Sequence, residues 1–312
     1  MTASTSGGAA PRDLREGEAW TLVQTAKNAL IYAAARAVLA VLAPWPARGL
    51  RAAGRVLGRL VYALVPGPRR LTHENLARAI PALSPKERSR MARDVYIELG
   101  GYLGDTVALL SARHALSPLP IEAGSRAVLD AAIGEGRGVV FVSAHLGPWE
   151  RVAGSLVAAG FPLTTLAREG YDPRFTKLIS KLREGLNVPA VYRGSASAPV
   201  RIVRTLRRGG LLGAPMDLRS RVASIEVPFL GSPARTAVGP ARIALRTGAA
   251  VVVGTAAPRE KQGLEITVTR VETVGLAPDE VGERALTVAL NAELSRRILA
   301  FPRGWVWMHP RW

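Results

Sequence analysis

The chain has 312 residues, 48% of them hydrophobic, which is enough for one large domain or two smaller ones. Cysteine is absent, which excludes disulfides, thiolate nucleophiles and cysteine-ligated metals. The 42 Lys and Arg exceed the 24 Asp and Glu by a net +18, a field that attracts nucleic acid, anionic membranes or phosphorylated substrates; with 5% aromatics and no RNA-binding or helix-turn-helix pattern, nucleic acid is not an expected partner.

Residues 1–19 are mostly small and polar and read as a disordered tail. The apolar segment that follows starts late and lacks a cleavage pattern, so no cleavable signal is expected. Ala29 to Ala43 is apolar apart from Tyr32 and Arg36. At about fifteen residues it is shorter than the roughly twenty that cross a bilayer. Extending it back to Leu22 brings in Gln24, Lys27 and Asn28, and a charge in mid-segment is costly in hydrocarbon. Trp20 and Trp45 flank it like interfacial anchors. A span and a shallow insertion both remain open. The next segment, Ala47 to Val65, carries Arg48, Arg51, Arg55 and Arg59 at helical spacing, with Leu57, Leu60, Val61 and Leu64 largely on another face. That pattern suits a basic amphipathic helix lying in an anionic interface, or an ordinary surface helix packed on its own domain.

Pro66-Gly67-Pro68 punctuates the chain. Ser84-Pro85-Lys86-Glu87 predicts a helix start, with Ser84 as N-cap, Pro85 in the first turn and Glu87 as capping-box partner. Residues 20–115 therefore read as a mainly helical, membrane-associating region. From 116 to 312 the pattern alternates, and the two parts form one continuous unit. Helices are predicted near 125–134, 148–159, 173–184, 198–208, 237–247 and 279–300. Strands are predicted at 138–143, 162–167, 188–192, 211–215, 224–229, 250–256 and 263–272. Alternating units of this kind predict an α/β fold, with a mostly parallel central sheet covered by helices. No internal repeat is present.

Gly138-Val139-Val140-Phe141-Val142-Ser143-Ala144-His145-Leu146-Gly147-Pro148-Trp149-Glu150 carries the main chemical signal. An apolar strand ends at a histidine, and a helix opens after Gly-Pro. Open α/β sheets hold ligands at such strand ends. Glu150 falls in the first helical turn, where the dipole favours a carboxylate. Folding the loop back would let Glu150 hold the His145 imidazole in one tautomer, the arrangement of a general base. A lone histidine near an apolar strand is also a common satisfied core residue.

Other strand ends offer companions. Asp217 and Arg219 follow Leu211–Pro215 and would open into the same crevice, or form a plain loop pair. Arg168 follows 162–167 and is able to fork onto a phosphate or carboxylate, or to stay solvated. Val227-Pro228-Phe229-Leu230-Gly231-Ser232-Pro233-Ala234 reads as an apolar turn that could wall an acyl pocket. Three tryptophans, Trp305, Trp307 and Trp312, close the chain, either capping the core or lining an interface. A G-x-S-x-G elbow is missing, which disfavours an α/β-hydrolase. Gly134-Glu135-Gly136-Arg137-Gly138 precedes a strand, so it is not a dinucleotide fingerprint. No Walker lysine motif occurs, and the histidine spacing suggests no metal site.

Taken together, these residues resemble the bacterial late acyltransferases of lipid A biosynthesis and the related phosphatidylinositol-mannoside acyltransferases. The resemblance covers roughly residues 20–312. It rests on Asn75-Leu76 with Ala79-Ile80-Pro81, on the His-x4-Glu motif as His145…Trp149-Glu150, and on Asp217. Phe229-Leu230-Gly231-Ser232-Pro233-Ala234 and Trp305-Val306-Trp307-Met308-His309-Pro310-Arg311-Trp312 complete it. Pro310 stands where the lipid A enzymes usually carry a basic residue.

The resemblance implies a membrane enzyme on the cytoplasmic face of the bacterial inner membrane. It would move a fatty acyl group from a thioester, on acyl carrier protein or coenzyme A, to a hydroxyl of a lipid A-type glycolipid, with no further cofactor. A lysophospholipid or phosphatidylinositol-mannoside acyltransferase is the alternative enzyme, and a non-catalytic lipid-binding protein the alternative of another class. His145 and Glu150 are the expected catalytic pair. Arg168, Asp217 and Arg219 are the expected substrate-binding residues, and anionic lipid the expected surface.

Overall fold

The computed structural model describes residues 12–13, 18–110, 116–219 and 222–312. Most of the expected disordered tail lies outside these residues; within it, β1 (Arg12–Asp13) and β2 (Glu18–Ala19) pair antiparallel. Four helices follow: α1 (Leu22–Leu42), α2 (Ala47–Leu64), α3 (Pro66–Ala79) and α4 (Pro85–Leu109). The alternating part then runs α5 (Ala123–Gly134), β3 (Val139–Ser143), α6 (Trp149–Ala158), β4 (Leu163–Ala167), α7 (Pro173–Gly185), β5 (Ala190–Tyr192), α8 (Ala198–Arg207) and β6 (Leu211–Pro215). A hairpin, β7 (Ser224–Phe229) and β8 (Ser232–Ala237), precedes α9 (Gly239–Thr247), β9 (Ala250–Pro258), β10 (Leu264–Arg270) and α10 (Glu280–Ala300).

The main sheet has the order β10-β9-β3-β6-β4-β5, parallel except for β10. The expected covered, mostly parallel sheet is what forms, because its central strands are apolar on both faces. Val140, Val142, Val251 and Val253 meet Leu286, Leu290 and Leu294 of α10 on one face. Val139, Phe141 and Val252 meet Leu129 of α5 and Leu156 of α6 on the other. Strands β3, β6, β4 and β9 all end at the same edge, and the candidate site sits there.

Two local expectations change. The segment expected to be a turn contains strand β8. Leu230 and Gly231, at φ 49° and 78°, make a tight hairpin turn, and Pro228 lies opposite Pro233. Prolines are tolerated because each strand of a two-stranded ribbon keeps one unpaired edge. Pro66-Gly67-Pro68 does not open a loop but forms the first turn of α3, where prolines cost no hydrogen bond.

In the helical region α1 has 21 residues with mean hydropathy 1.3, long and apolar enough to cross a membrane, and only 6% of it is buried. Leu22 and Leu30 are 89% and 72% exposed. On α2 the expected division of faces is modified. Arg51 pairs with Asp105 and Arg55 with Glu98, both on α4, while Val56, Leu57, Leu60 and Leu64 face outward. Half of the arginine stripe is therefore turned into the protein, and the apolar stripe is the exposed one. The turn is enforced by glycine. Gly54 and Gly58 of α2 lie against Gly100 and Gly104 of α4 so closely that a Cβ on any of them would sit 2.1–2.3 Å from a backbone oxygen.

Candidate active site

His145 lies two residues beyond β3 and Asp217 two residues beyond β6. The register pairs Ser143 with Pro215, so the parallel pairing brings the two residues side by side. His145 Nδ1 is 2.9 Å from Asp217 Oδ1. The His145 backbone N–H and the Trp305 indole N–H both donate to Oδ2, at 2.9 and 2.8 Å. Asp217 is fully buried with each oxygen engaged. Burial alone would raise its pKa, but His145 and these donors outweigh it and hold Asp217 below the usual carboxylate range. Burial likewise opposes charge on His145, and Asp217 outweighs it, by its charge and its hydrogen bond, so the imidazole titrates above its ordinary value. An ionised carboxylate only accepts, so Nδ1 carries the proton and the neutral ring presents a bare Nε2.

The loop after His145 is fixed from outside. Leu146 bridges to Trp305, and Gly147 N–H donates to Gly304 O at 2.9 Å. Gly147 has φ +73°, and a Cβ there would lie 2.7 Å from the Ala256 methyl, so only glycine fits. Trp149 packs edge-on against the His145 ring at 5.1 Å. Trp305 and Trp307 are fully buried, and Asn75 of α3 donates to the Trp307 and His309 carbonyls, at 2.8 and 3.1 Å. The closing tryptophans cap the core, and one of them also holds Asp217.

Glu150 does not hydrogen-bond His145. It accepts two bonds from Arg183 of α7, at 2.9 and 2.6 Å, with both side chains largely buried. The forked guanidinium matches a carboxylate better than an imidazole does, and α6 carries Glu150 towards α7. The orienting carboxylate expected at Glu150 is therefore Asp217. Asp217 is fully buried with both oxygens hydrogen-bonded, which suits it to positioning the imidazole.

His145, Asp217, Arg168 and Arg219 line one cleft of ≈ 370 Å³, so the structure brings together four of the five expected residues. Glu150 lies in the adjoining hollow of ≈ 80 Å³ beneath His145, walled by Phe141, Val152, Leu156 and Leu163. Arg168 and Arg219 are exposed. The sequence reading passed over Arg193, which also lines the cleft; burial and the neighbouring Arg168 lower its pKa. Its position just past β5 is the signal that singled out Arg168. His309, from the closing stretch, lines the same cleft.

An α/β sheet with one oriented imidazole at its carboxyl edge, between an arginine-lined cleft and a smaller, partly apolar hollow, defines the kind of protein. The chain belongs to the family described as bacterial lipid A biosynthesis acyltransferase, which it matches over residues 21–312. It is similar to a phosphatidylinositol mannoside acyltransferase of Mycobacterium tuberculosis (strain ATCC 25618 / H37Rv), with 27% identity over 262 residues, 82% of this chain and 80% of the relative. A protein of the same description from Mycolicibacterium smegmatis is 26% identical over 186 residues, 58% of this chain and 59% of the relative. The family expected from the residues is thus the family found, and the protein is an acyltransferase; the non-catalytic reading gives way.

Proposed function

We propose that the protein transfers a fatty acyl group from a thioester, carried by acyl carrier protein or coenzyme A, to a hydroxyl of an anionic membrane glycolipid. The observation that carries this reading is His145, with Nδ1 held by buried Asp217, lining both an arginine-lined cleft and a smaller, partly apolar hollow. The acceptor hydroxyl gives its proton to Nε2 as its oxygen attacks the thioester carbonyl. The tetrahedral intermediate collapses, the C–S bond breaks, and the thiolate takes the proton back from the imidazolium. Asp217 stabilises the charged ring between these steps. No acyl-enzyme is needed. Arg168, Arg193 and Arg219 suit phosphates of donor or acceptor, and the hollow suits the first carbons of the chain.

The similar mycobacterial proteins favour a mannosylated phosphatidylinositol as acceptor. The family's own description favours a lipid A-type sugar. The exposed apolar faces of α1 and α2 support attachment to a membrane, and the reading sets it at the cytoplasmic face of the inner membrane. The test is to supply membranes with labelled acyl carrier protein or coenzyme A thioester and each acceptor. A product heavier by one acyl chain is expected. Consumption of thioester with no acylated lipid would overturn the reading, and the mass of the product separates the two acceptors.

A further inference from the structure

The cleft beside His145 is not the only cation-rich cavity among the described residues. A second cavity of ≈ 550 Å³ opens at the same sheet edge on the β9–β10 side, between α2, α4 and the first turn of α6. Arg48, Arg51, Arg55, Arg151, Arg259 and Arg303 line it, against only two carboxylates, Glu98 and Asp105. Arg51 and Arg55 take up those two, Arg151 also lies 4.0 Å from Asp105, and Arg259 pairs with Glu265 at 3.8 Å, so the uncompensated charge is that of Arg48 and Arg303. Arg151 is held at the rim by two hydrogen bonds to the Ser117 carbonyl, at 3.2 and 2.7 Å. Arg48 and Arg303 are exposed and have no ion pair among the described residues, and the Arg55 Nε–H is buried without a hydrogen-bond partner. Like charges gathered this way repel one another unless an anion sits among them. The place is also informative. Ala47 and Arg48 follow directly on α1, the exposed apolar helix, through Trp45, so the cavity opens where that helix meets the body of the protein.

We propose that this cavity is a second anion site that takes a phosphate group, carried by a phospholipid headgroup or by a soluble phosphate. The lipid source rests on the membrane attachment proposed above; the phosphate chemistry does not. Bound there, the phosphate bridges α2 to α6. In α6, Glu150 borders the His145 hollow and the next residue, Arg151, borders this cavity. The site therefore couples membrane contact to the helix that carries the candidate active-site loop.

The test uses the full chain with Arg48→Ala and Arg303→Ala together, which breaks no internal ion pair. The control removes two exposed arginines of the α8 end, Arg207→Ala and Arg208→Ala. One arm measures binding to phosphatidylcholine vesicles with and without phosphatidylglycerol; the other measures the rise in melting midpoint given by inorganic phosphate. The cavity variant is expected to lose roughly tenfold to thirtyfold of the phosphatidylglycerol-dependent binding, the scale of two interfacial arginines, while the control keeps it. Loss in the vesicle arm assigns a headgroup; loss only of the melting shift assigns a soluble phosphate. If cavity variant and control behave alike in both arms, the proposal is wrong. If no vesicles bind wild type at all, the membrane reading fails, and the melting arm alone still decides the cavity.

Discussion

At the scale of single residues the decisive pairing is His145 with Asp217, 72 positions apart. Histidine at a strand end was legible in the sequence, and so was an acidic residue after β6. Which carboxylate orients the ring was not. Glu150 is near in sequence, and local spacing favours it; Asp217 becomes adjacent only because β6 pairs with β3 while β4 and β5 are placed beyond it. Strand order of that kind leaves no trace in spacing. The pairing has a pH consequence. A general base must be unprotonated, and Asp217 raises the His145 pKa above 6.5, so the acid limb of kcat/KM lies above that value. Asp217→Asn removes the charge that favours the imidazolium. The limb then moves to lower pH while the plateau rate falls, as a pH–rate profile will show. A limb that stays in place would mean that Asp217 does not set the ring's charge.

At the scale of elements, the helix and strand pattern was largely readable, from the Ser84–Glu87 cap of α4 to the alternating apolar runs after 116. The hairpin strand β8 was hidden because Pro228, Gly231 and Pro233 around the turn carry a turn signal. The crossing of α2 and α4 was also hidden, although Gly54-x3-Gly58 and Gly100-x3-Gly104 are in plain view; a glycine spacing does not say which helix it faces. Gly58→Ala would place a methyl 2.1 Å from the Tyr96 carbonyl oxygen, so the helices must part. A loss of about 1–3 kcal/mol is expected, read as a lower midpoint in denaturant. Unchanged stability would show that the helices do not meet so closely.

At the scale of the molecule, the proposed membrane surface combines α1 with the outer stripe of α2, and two of the four arginines expected to face lipid pair with α4 instead. Because α1 is so little buried, Leu30→Ser with Val38→Ser and Val41→Ser should leave the fold intact and move protein from the membrane to the soluble fraction. Retention of all the protein on membranes would place attachment elsewhere. The account as a whole depends on the His145 imidazole taking the acceptor's proton. The direct measurement is the acyl-transfer rate of folded His145→Ala at saturating donor, with the melting midpoint as the check on folding. A fall of roughly 10²–10⁴-fold at an unchanged midpoint is expected; transfer at the wild-type rate would contradict the mechanism.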